Sequence, residues 1–294
     1  MSLPETHETP AHSLDRAAPS AARLNANGQA TAQSAPSVAF IITAYNKWDY
    51  LQRSLRAVSK LKPLPNELII ADDGSADETR HSIDRFLEGF DGSVQTLHVW
   101  QEDKGYRRSR ALNKAIAQCT SDIVVFSDSD CLPHKRFIGD HRRLLKASHY
   151  ISGGRAYIHE NSLERFDISL PGRLWGVWRG YVFPKKASFR IPFIENWETN
   201  ASPCGANLSL WREDLIALNG FDECFEGWGF EDTDLMMRAE NLGIQRQRIC
   251  QRCLIYHQEH PLLSRAQLDD NERTYEARKA AGQVRADLGV DQYL

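Results

Sequence analysis

The amino-acid sequence predicts an α/β fold in which helices flank a mostly parallel β-sheet. Between residues 37 and 130, four short apolar runs rich in β-branched residues alternate with segments whose apolar residues recur at helical spacing. Three of these runs end abruptly at polar residues. Such alternation favours crossover connections between parallel strands, and ligands of such sheets bind beyond the carboxyl ends of the strands. The polar strand ends are therefore the expected site.

The first two strands and the helix between them lie within residues 38–75. The run VAFIITAYN predicts a strand that ends at Thr43-Ala44-Tyr45-Asn46, and Trp48–Leu61 has the apolar spacing of a helix. The run ELIIADDGS predicts a second strand, which ends at Asp72-Asp73-Gly74-Ser75. Gly74 can supply the positive φ of a tight turn, and a turn is compatible with a binding role for the two aspartates.

Two further helices and strands complete the alternation. The run DETRHSIDRFLEGF predicts a second helix, with Asp77 as its cap and Gly89 as its stop. Thr96–Trp100 predicts the third strand, RALNKAIAQC the third helix, and Asp122–Ser127 a buried fourth strand. Later in the chain, LMMRAENLG predicts a helix and CLIYH an apolar strand that ends at His257.

The triplet Asp128-Ser129-Asp130 follows the fourth strand directly. Two carboxylates separated by one residue point to the same side if the extended backbone continues. Hard cations such as Mg²⁺ prefer such oxygen ligands and often share them with substrate phosphates. The triplet is also good turn and cap chemistry, so by itself it leaves a purely structural role open.

A second acidic cluster, Gly227-Trp228-Gly229-Phe230-Glu231-Asp232, stands just before the predicted helix LMMRAENLG. A helix N-terminus favours carboxylates, and a carboxylate fixed there can serve as a general base. The alternative makes Asp232 a helix N-cap, whose bonds to backbone N–H groups would weaken it as a base. The pairing with Glu231 in a Trp-Gly turn favours catalysis.

In this order, the four motifs resemble those of the family 2 glycosyltransferases, which have the nucleotide-sugar-binding fold called GT-A. The similarity runs from about Ser37 to His260. The segment from Cys204, CGANLSLWREDLIALNGFDECFEGWGFEDTDL, is also similar to the C-terminal part shared by bacterial chondroitin-type polymerases and animal β4-galactosyltransferases. The resemblance implies a single Rossmann-like GT-A catalytic domain.

The resemblance also implies a role for each motif. The residues expected at the donor nucleoside are Ala44, Tyr45, Asn46, Asp72, Asp73 and Asp128. Asp130 would bind a divalent cation, Mn²⁺ or Mg²⁺, that neutralises the diphosphate leaving group. His257 resembles the histidine that completes the metal site in related enzymes, and His260 competes with it for this role.

On the acceptor side, the resemblance implies that Asp232 is the general base and that Glu231 binds acceptor hydroxyls. Trp228 can stack on a sugar, because its flat apolar face matches the C–H face of a pyranose, although packing in the core is the alternative. The implied reaction is inverting, metal-dependent transfer from a nucleotide sugar, with UDP favoured, to a glycan or lipid-linked acceptor in polysaccharide or lipopolysaccharide synthesis.

Two alternatives from other functional classes stay open. A sugar-nucleotide pyrophosphorylase shares the alternating sheet, but it needs a Gly-rich basic loop after the first strand, and TAYNKWDYL offers none. A non-catalytic glycan-binding subunit with the same fold is the other alternative. The intact series of carboxylates favours an enzyme over it.

Two basic segments have no assigned motif. Gly172–Phe193 interleaves basic and aromatic residues and contains no acidic residue. This pattern suits a membrane interface, an anionic glycan or a lipid-linked diphosphate, while a solvated loop with inward-packed aromatics is the alternative. The run Lys104–Arg110 could face the diphosphate, with a solvated loop again as the alternative.

Composition limits the remaining possibilities. The 294 residues, 41% of them hydrophobic, can bury one substantial core, and a net charge of −3 argues against a nucleic-acid partner. Residues 1–36 are poor in large apolar side chains and are expected to be disordered. The expected parts after this tail are a nucleotide-sugar-binding half (37–150), an acceptor-binding and catalytic half (151–260) and a C-terminal helical extension (261–294).

The sequence also gives an expectation for the location of the protein in the cell. No apolar run is long enough for a signal peptide or a membrane-spanning helix, so we expect a cytoplasmic protein with possible peripheral contact to the inner face of the cell membrane. The six cysteines are expected to be reduced thiols. Cys250 and Cys253 stand too close to His257 for a zinc module.

Overall fold

In the computed structural model, the four strands predicted between residues 37 and 130 are neighbours in a seven-stranded sheet, and the predicted helices lie between them along the chain, which confirms the α/β prediction. The structure describes residues 35–163, 169–183, 189–191, 205–249, 251–260 and 265–294, so nearly all of the predicted N-terminal tail lies outside it. The first elements are β1 (Val38–Ala44), α1 (Trp48–Val58), β2 (Glu67–Asp72), α2 (Asp77–Glu88), β3 (Gln95–Trp100), α3 (Arg108–Gln118) and β4 (Ile123–Asp128).

The second part of the chain adds strands that the sequence patterns did not indicate. Its elements are β5 (Cys131–Pro133), α4 (Phe137–Leu144), β6 (His149–Gly153), β7 (Arg155–Ile158), α5 (Leu170–Trp178), β8 (Val182–Phe183), β9 (Leu208–Trp211), α6 (Arg212–Ala217), α7 (Glu231–Asn241), β10 (Gln245–Ile249), β11 (Ile255–Gln258) and α8 (Leu268–Ala280). The predicted late helix and strand correspond to α7 and β11.

The large sheet has the strand order β10-β6-β9-β4-β1-β2-β3. β1 is parallel to both of its neighbours, β2 and β4, whereas β9 is antiparallel to β4 and β6. In register, Ala44 lies beside Asp72, and Thr43 lies beside Asp128. The polar ends of β1, β2 and β4 therefore meet at one edge of the sheet, as the fold class requires.

Both faces of this sheet are covered by helices. Alternate residues of β1 point to opposite faces, so Phe40 and Ile41 belong to two different buried clusters. Phe40 packs on the side of α1, α2 and α4, and Ile41 packs on the side of α3, α6 and α7. Because β1 is buried on both faces, its sequence is almost continuously apolar.

A second, four-stranded sheet has the order β5-β11-β7-β8. β11 is antiparallel to β5 and parallel to β7. The β5 pairing places His257 opposite Cys131, which directly follows Asp130. The pairing of β11 with the short edge strand β5 thereby brings His257 close to Asp130 at the end of the Asp-Ser-Asp motif.

Two helix starts differ from the predictions. Asp77 is the first residue of α2 rather than its cap, and its side chain pairs with Arg80 over 3.0 Å. Phe230, with a φ of 72°, occupies the cap position of α7, so Asp232 lies in the first helical turn and is not an N-cap. The interpretation of Asp232 as a capping residue is therefore wrong.

None of the helices in the described part of the chain is both long and apolar enough to cross a membrane.

Candidate active site

Asp128 lies at the carboxyl end of β4 and is held by β1 and α3. Its Oδ1 atom accepts hydrogen bonds from the Thr43 hydroxyl over 3.0 Å and from Arg108 Nη2 over 2.9 Å. Ser54 of α1 donates to the Ser129 carbonyl over 2.7 Å and thereby fixes the backbone of the motif. About a third of the Asp128 side chain (31%) is still exposed, so a ligand can reach it.

A single guanidinium joins the two acidic motifs. Arg108, the first residue of α3, is buried between Asp128, Glu231 and Asp232. Its Nη1 atom donates to Asp232 Oδ1 over 3.0 Å and lies 3.4 Å from Glu231 Oε1. Burial disfavours the charge, but the three carboxylates raise the pKa of Arg108 well above its usual value. The sequence pattern of Lys104–Arg110 indicated a basic loop and gave no sign of this contact.

Glu231 and Asp232 are crowded acids whose pKa values are raised. Burial, together with the charge of Asp232, raises the pKa of Glu231 to about 7, against the lowering effect of Arg108. Burial also raises the pKa of Asp232, and Arg108 again opposes the shift. A general base is most effective when its pKa lies near the working pH, so both shifts favour proton acceptance.

The carboxylate of Asp232 lies directly against the backbone of Gly205. A Cβ atom at position 205 would overlap this carboxylate, so only glycine leaves room for it. The turn is fixed by the next polar residue, Asn207, whose fully buried amide donates to the carbonyls of Gly154 and Cys253 over 2.8 and 2.6 Å. The position of Asp232 thus depends on a glycine that the sequence analysis did not single out.

Asp130 and two histidines form a cluster that could bind a metal ion. Asp130 Oδ2 lies 2.8 Å from His260 Nε2, and Oδ1 lies 3.5 Å from His257 Nε2. The potential ligand atoms of all three residues lie within 4.8 Å of one another. His257 and His260 were alternatives in the sequence, and the fold brings both to Asp130.

The chemistry of this cluster fits a divalent transition metal. Carboxylates suit Mg²⁺ and Mn²⁺, and imidazoles suit transition metals, so the mixed set is compatible with a divalent transition metal. Burial raises the pKa of Asp130, but the His260 hydrogen bond and the charges of both histidines outweigh it, so the net shift is downward. Burial lowers the pKa of His257, which favours its neutral, ligating form. The buried Nδ1 atom of His257 has no hydrogen-bond partner among the described residues.

The two aspartates after β2 have different surroundings. Asp72 is fully buried, its Oδ1 accepts from Ser75 N–H over 2.8 Å, and its Oδ2 lies 3.0 Å from His98 Nε2. These contacts give Asp72 a structural role in the turn, and its role at the nucleoside stays a prediction. Gly74 makes that turn with a φ of 100°.

Asp73, the next residue, is also buried. It accepts hydrogen bonds from Gln101 Nε2 over 2.6 Å and from the Arg107 N–H over 2.7 Å. Burial raises the pKa of Asp73 to about 6, while the bonds from Gln101 and Arg107 counteract the shift. Its role at the nucleoside stays a prediction.

The residues after β1 combine structural and exposed positions. Ala44 is buried, and its carbonyl accepts from the Asp73 N–H over 2.9 Å. Tyr45 is about half exposed (49%), and its hydroxyl donates to Asp103 over 3.0 Å. Asn46 accepts from the Ala76 N–H over 3.0 Å and so connects this loop to the start of α2. Among these three residues, Tyr45 offers the largest surface to a ligand.

Trp228 is at the surface and not in the core. Its side chain is 38% exposed, and the guanidinium of Arg265 lies 5.0 Å from its ring centroid. It stands three residues before Glu231. The indole thus lies on the loop that leads directly into the acidic pair at the start of α7.

The basic and aromatic segment is only partly at the surface. Leu174, Trp175 and Trp178 of α5 are 54%, 40% and 75% exposed. The Arg179 guanidinium lies 5.6 Å from the Trp175 ring centroid and 5.1 Å from that of Trp178. An apolar and basic surface therefore exists on α5.

Two other basic residues of this segment have structural roles instead. Arg173 is buried, and Arg190 forms two 2.6 Å hydrogen bonds to Asp140. The expectation of ligand contact for the whole segment is therefore wrong at these two positions. Lys185 and Lys186 lie outside the described residues.

Comparison with protein families gives two matches. Residues 39–206 match the model described as glycosyl transferase family 2, and residues 195–261 match the model described as the N-terminal domain of galactosyltransferase. Together, these matches include the ends of β1, β2 and β4, the acidic pair, and both histidines of the cluster with Asp130. Neither match extends beyond residue 261.

Curated relatives are distant but cover most of the chain. Validoxylamine A glucosyltransferase from Streptomyces hygroscopicus subsp. limoneus is 25% identical over 232 residues, which are 71% of this chain and 49% of the relative. Chondroitin synthase from Escherichia coli is 24% identical over 245 residues, which are 76% of this chain and 35% of the relative. The chain thus spans half or less of the length of these two relatives.

Solved structures share the fold. TarS from S. aureus (residues 1–349, in complex with UDP-GlcNAc) superposes with a TM-score of 0.59 at 16% identity, covering 87% of this chain and 69% of TarS. The mannosyltransferase PcManGT from Pyrobaculum calidifontis, in complex with GDP-Man and Mn²⁺, gives a TM-score of 0.53 at 18% identity, covering 84% of this chain and 64% of that one. These neighbours have the GT-A fold, which confirms the predicted fold class.

Proposed function

This chain belongs to glycosyl transferase family 2, and on that premise we propose that it transfers a sugar from a nucleotide sugar to an acceptor hydroxyl with inversion. The donor is a UDP-sugar, and the acceptor is a glycan or lipid-linked sugar in polysaccharide or lipopolysaccharide synthesis. The observation that carries this proposal is the link from Asp128 through Arg108 to Asp232, because it joins an expected donor contact to a carboxylate of raised pKa.

Asp232 is proposed as the general base. Its Oδ1 atom is held by Arg108, so the carboxylate has a fixed orientation. It accepts the proton of the acceptor hydroxyl while the hydroxyl oxygen bonds to the anomeric carbon. The bond from that carbon to the phosphate oxygen breaks, and the nucleoside diphosphate leaves with the electron pair. Attack from the face opposite the leaving group inverts the anomeric configuration.

Asp130, His257 and His260 are proposed to hold a divalent cation, and the mixed donor set is compatible with Mn²⁺. When bound, such a cation supplies positive charge that stabilises a diphosphate leaving group. The structural neighbour PcManGT was solved with GDP-Man and Mn²⁺. The ends of β1, β2 and β4 are proposed to contact the nucleoside. The residues there are Tyr45, Asn46, Asp73 and Asp128.

Trp228 and Glu231 are proposed to contact the acceptor. An exposed indole offers a flat apolar face to a sugar ring, and the raised pKa of Glu231 allows it to exchange hydrogen bonds with hydroxyls as either donor or acceptor. Glu231 is held toward the loop by a 3.1 Å bond from the Gly229 N–H.

The exposed surface of α5 supports a peripheral contact with an anionic membrane, where a lipid-linked acceptor would be found. Trp178 and Trp175 suit the headgroup region, and Arg179 suits anionic lipid. Co-sedimentation with phosphatidylglycerol vesicles tests this contact. Trp178→Ala should reduce the bound fraction, and binding equal to wild type would contradict the contact.

Release of nucleotide from a panel of UDP- and GDP-sugars, with Mn²⁺ and a mixture of glycan acceptors, tests the main proposal. One UDP-sugar should be turned over, and excess chelator should stop the reaction reversibly. Absence of turnover with every donor, or full activity in chelator, would contradict the proposal. Asp232→Asn is the matched variant, because it preserves shape and removes basicity.

A further inference from the structure

The loop Asp222–Phe230, called here the acceptor loop, joins the region after α6 to α7. It carries Trp228 and leads directly into Glu231 and Asp232. Gly227, Gly229 and Phe230 all have positive φ values, of 74°, 112° and 72°. Phe230 is not a glycine, so its positive φ is strained and persists only where the surrounding structure holds it.

One neighbouring side chain holds two points of the acceptor loop. Asn271, on the buried face of α8, donates from Nδ2 to the carbonyl of Glu226 over 3.0 Å and to the carbonyl of Gly229 over 3.0 Å. These carbonyls lie on either side of Gly227 and Trp228. The Asn271 side chain is 5% exposed, so water cannot easily replace its amide.

The glycines of the acceptor loop lie directly against the start of α8. A Cβ atom at Gly227 would come within 2.7 Å of Gln267 Cγ, and one at Gly229 would come within 2.8 Å of Leu268 Cδ1. Side chains at these two positions would therefore push the loop away from α8. The close approach is what allows Asn271 to reach both carbonyls.

Further contacts join both ends of the acceptor loop to α8. The Phe230 and Tyr275 ring centroids lie 5.3 Å apart. Arg278 of α8 pairs with Asp222 over 2.7 Å and lies 3.7 Å from Asp234 of α7. On its other side the loop is bound by a 3.1 Å hydrogen bond from the Gly227 N–H to the Tyr106 carbonyl. The loop is thus held between α8 and the segment before Arg108.

We propose that Asn271 is a positioning residue for acceptor binding, and that it acts by fixing the acceptor loop so that Trp228 and Asp232 can contact the same acceptor sugar. This inference rests on the proposed function and extends it to α8, which lies beyond residue 261, where the family matches end. It assigns a role to the C-terminal extension: α8 forms the support of the acceptor site, and the donor site does not depend on it.

Hydrogen exchange of the full chain tests the structural step without any substrate. Asn271→Ala should speed exchange of the peptide containing residues 222–232 by at least about fivefold, with β1 to β4 unchanged, because the loop loses both hydrogen bonds that hold its carbonyls. Alanine favours helix over asparagine, so a weaker α8 cannot explain this result. Glu272→Ala, at the adjacent exposed position, is the control. An unchanged loop, or equally faster exchange throughout the sheet, would overturn the proposal.

Kinetics test the functional step. With the donor identified by the nucleotide-sugar panel, Asn271→Ala and the isosteric Asn271→Asp should lower kcat/KM for the acceptor at least about tenfold, the effect of roughly 1.4 kcal/mol. The donor KM should equal that of Glu272→Ala. A parallel rise in donor KM, or wild-type acceptor kinetics, would overturn the proposal. Failure of the proposed function can be distinguished from failure of the Asn271 proposal, because in the first case the wild-type protein would turn over no donor.

Discussion

Arg108 Nη1 donates to Asp232 Oδ1 across 3.0 Å, and this contact joins the first turn of α3 to the first turn of α7. The guanidinium is the shared counter-charge of a carboxylate from each acidic motif. A base in such a contact has a pKa set by two opposing causes, burial and the neighbouring cation.

Substitution of Arg108 should therefore change the pH dependence of the reaction. Arg108→Gln removes the charge that lowers the pKa of Asp232, so the pKa should rise, and the acidic limb of the kcat/KM profile should move upward by about one unit. Arg108→Lys keeps the charge and should shift the limb less. Rates between pH 5 and 9 measure this, and an unmoved limb in both variants would contradict it.

Substitution of Asp232 should separate binding from chemistry. Asp232→Asn keeps the shape but cannot accept the proton, so turnover should fall by about 10²-fold or more while donor binding changes little. Single-turnover kinetics and calorimetry with the donor's nucleotide measure the two effects. Proton NMR of the wild-type product should show inversion, a β-glycoside from an α-linked donor. Retained configuration, or near wild-type turnover in the variant, would remove Asp232 from its role.

Substitution of Gly205 should displace the base without changing its chemistry. Gly205→Ala places a methyl group where the Asp232 carboxylate lies, and a misplacement of about 1 Å can cost about 10²-fold in rate. Gly92→Ala, where an added Cβ would have no neighbour within 4 Å, is the control. Steady-state kcat for both variants measures the effect. Equal kcat values would mean that the carboxylate is free to move.

Protonation of Glu231 should make stability depend on pH. Its folded-state pKa is raised from 4.5 to about 7, so in this range the folded chain holds a proton that the unfolded chain has released. The contribution of Glu231 to the free energy of unfolding therefore falls as pH rises through that range. The Tm of Glu231→Gln minus the wild-type Tm should be larger at pH 8 than at pH 5. For the control Glu226→Gln, at an exposed site, the difference from the wild-type Tm should be the same at both pH values. If the difference for Glu231→Gln is also the same at pH 5 and pH 8, the prediction is contradicted.

Loss of the proposed metal ligands should affect the cation requirement first. His257→Ala and His260→Ala should each raise the Mn²⁺ concentration for half-maximal activity by at least about tenfold, and Asp130→Ala should abolish transfer. Titration of Mn²⁺ into chelator-treated protein measures this. His81→Ala, at an exposed position on α2, is the control. An unchanged requirement in either histidine variant would assign the site to the other two residues.

The first half of the sheet was predictable because its signals are local. The strands β1, β2 and β4 have apolar runs that end at polar motifs, and the helices between the first four strands have clear apolar spacing. Each of these patterns can be recognised within a window of about ten to fifteen residues. The parallel register then follows from the fold class, which is why the ends of β1, β2 and β4 met as expected.

The centre of the site was not predictable in the same way, because its contacts are long-range. Arg108 sits in an ordinary basic run, and only the fold brings it to Asp232, which is 124 residues away along the chain. Gly205 has no turn signal that points to a carboxylate. Asp72 has the right residue type for ligand binding, but the His98 side chain occupies its second oxygen. The residues next to a polar side chain in the sequence do not show which distant residue will form a hydrogen bond with it in the fold.

The cluster of Asp130, His257 and His260 has a consequence for thermodynamic linkage. Asp130 lies between a strand of the large sheet and one of the small sheet, whereas His257 belongs to β11 of the small sheet. A cation held by these side chains would cross-link positions 130 and 257 and would bind the folded chain in preference to the unfolded one. At 100 times its Kd, a ligand of this kind adds about 2.7 kcal/mol to the free energy of unfolding. A shift of the melting temperature with added Mn²⁺ would thus report cation affinity even before any sugar has been identified.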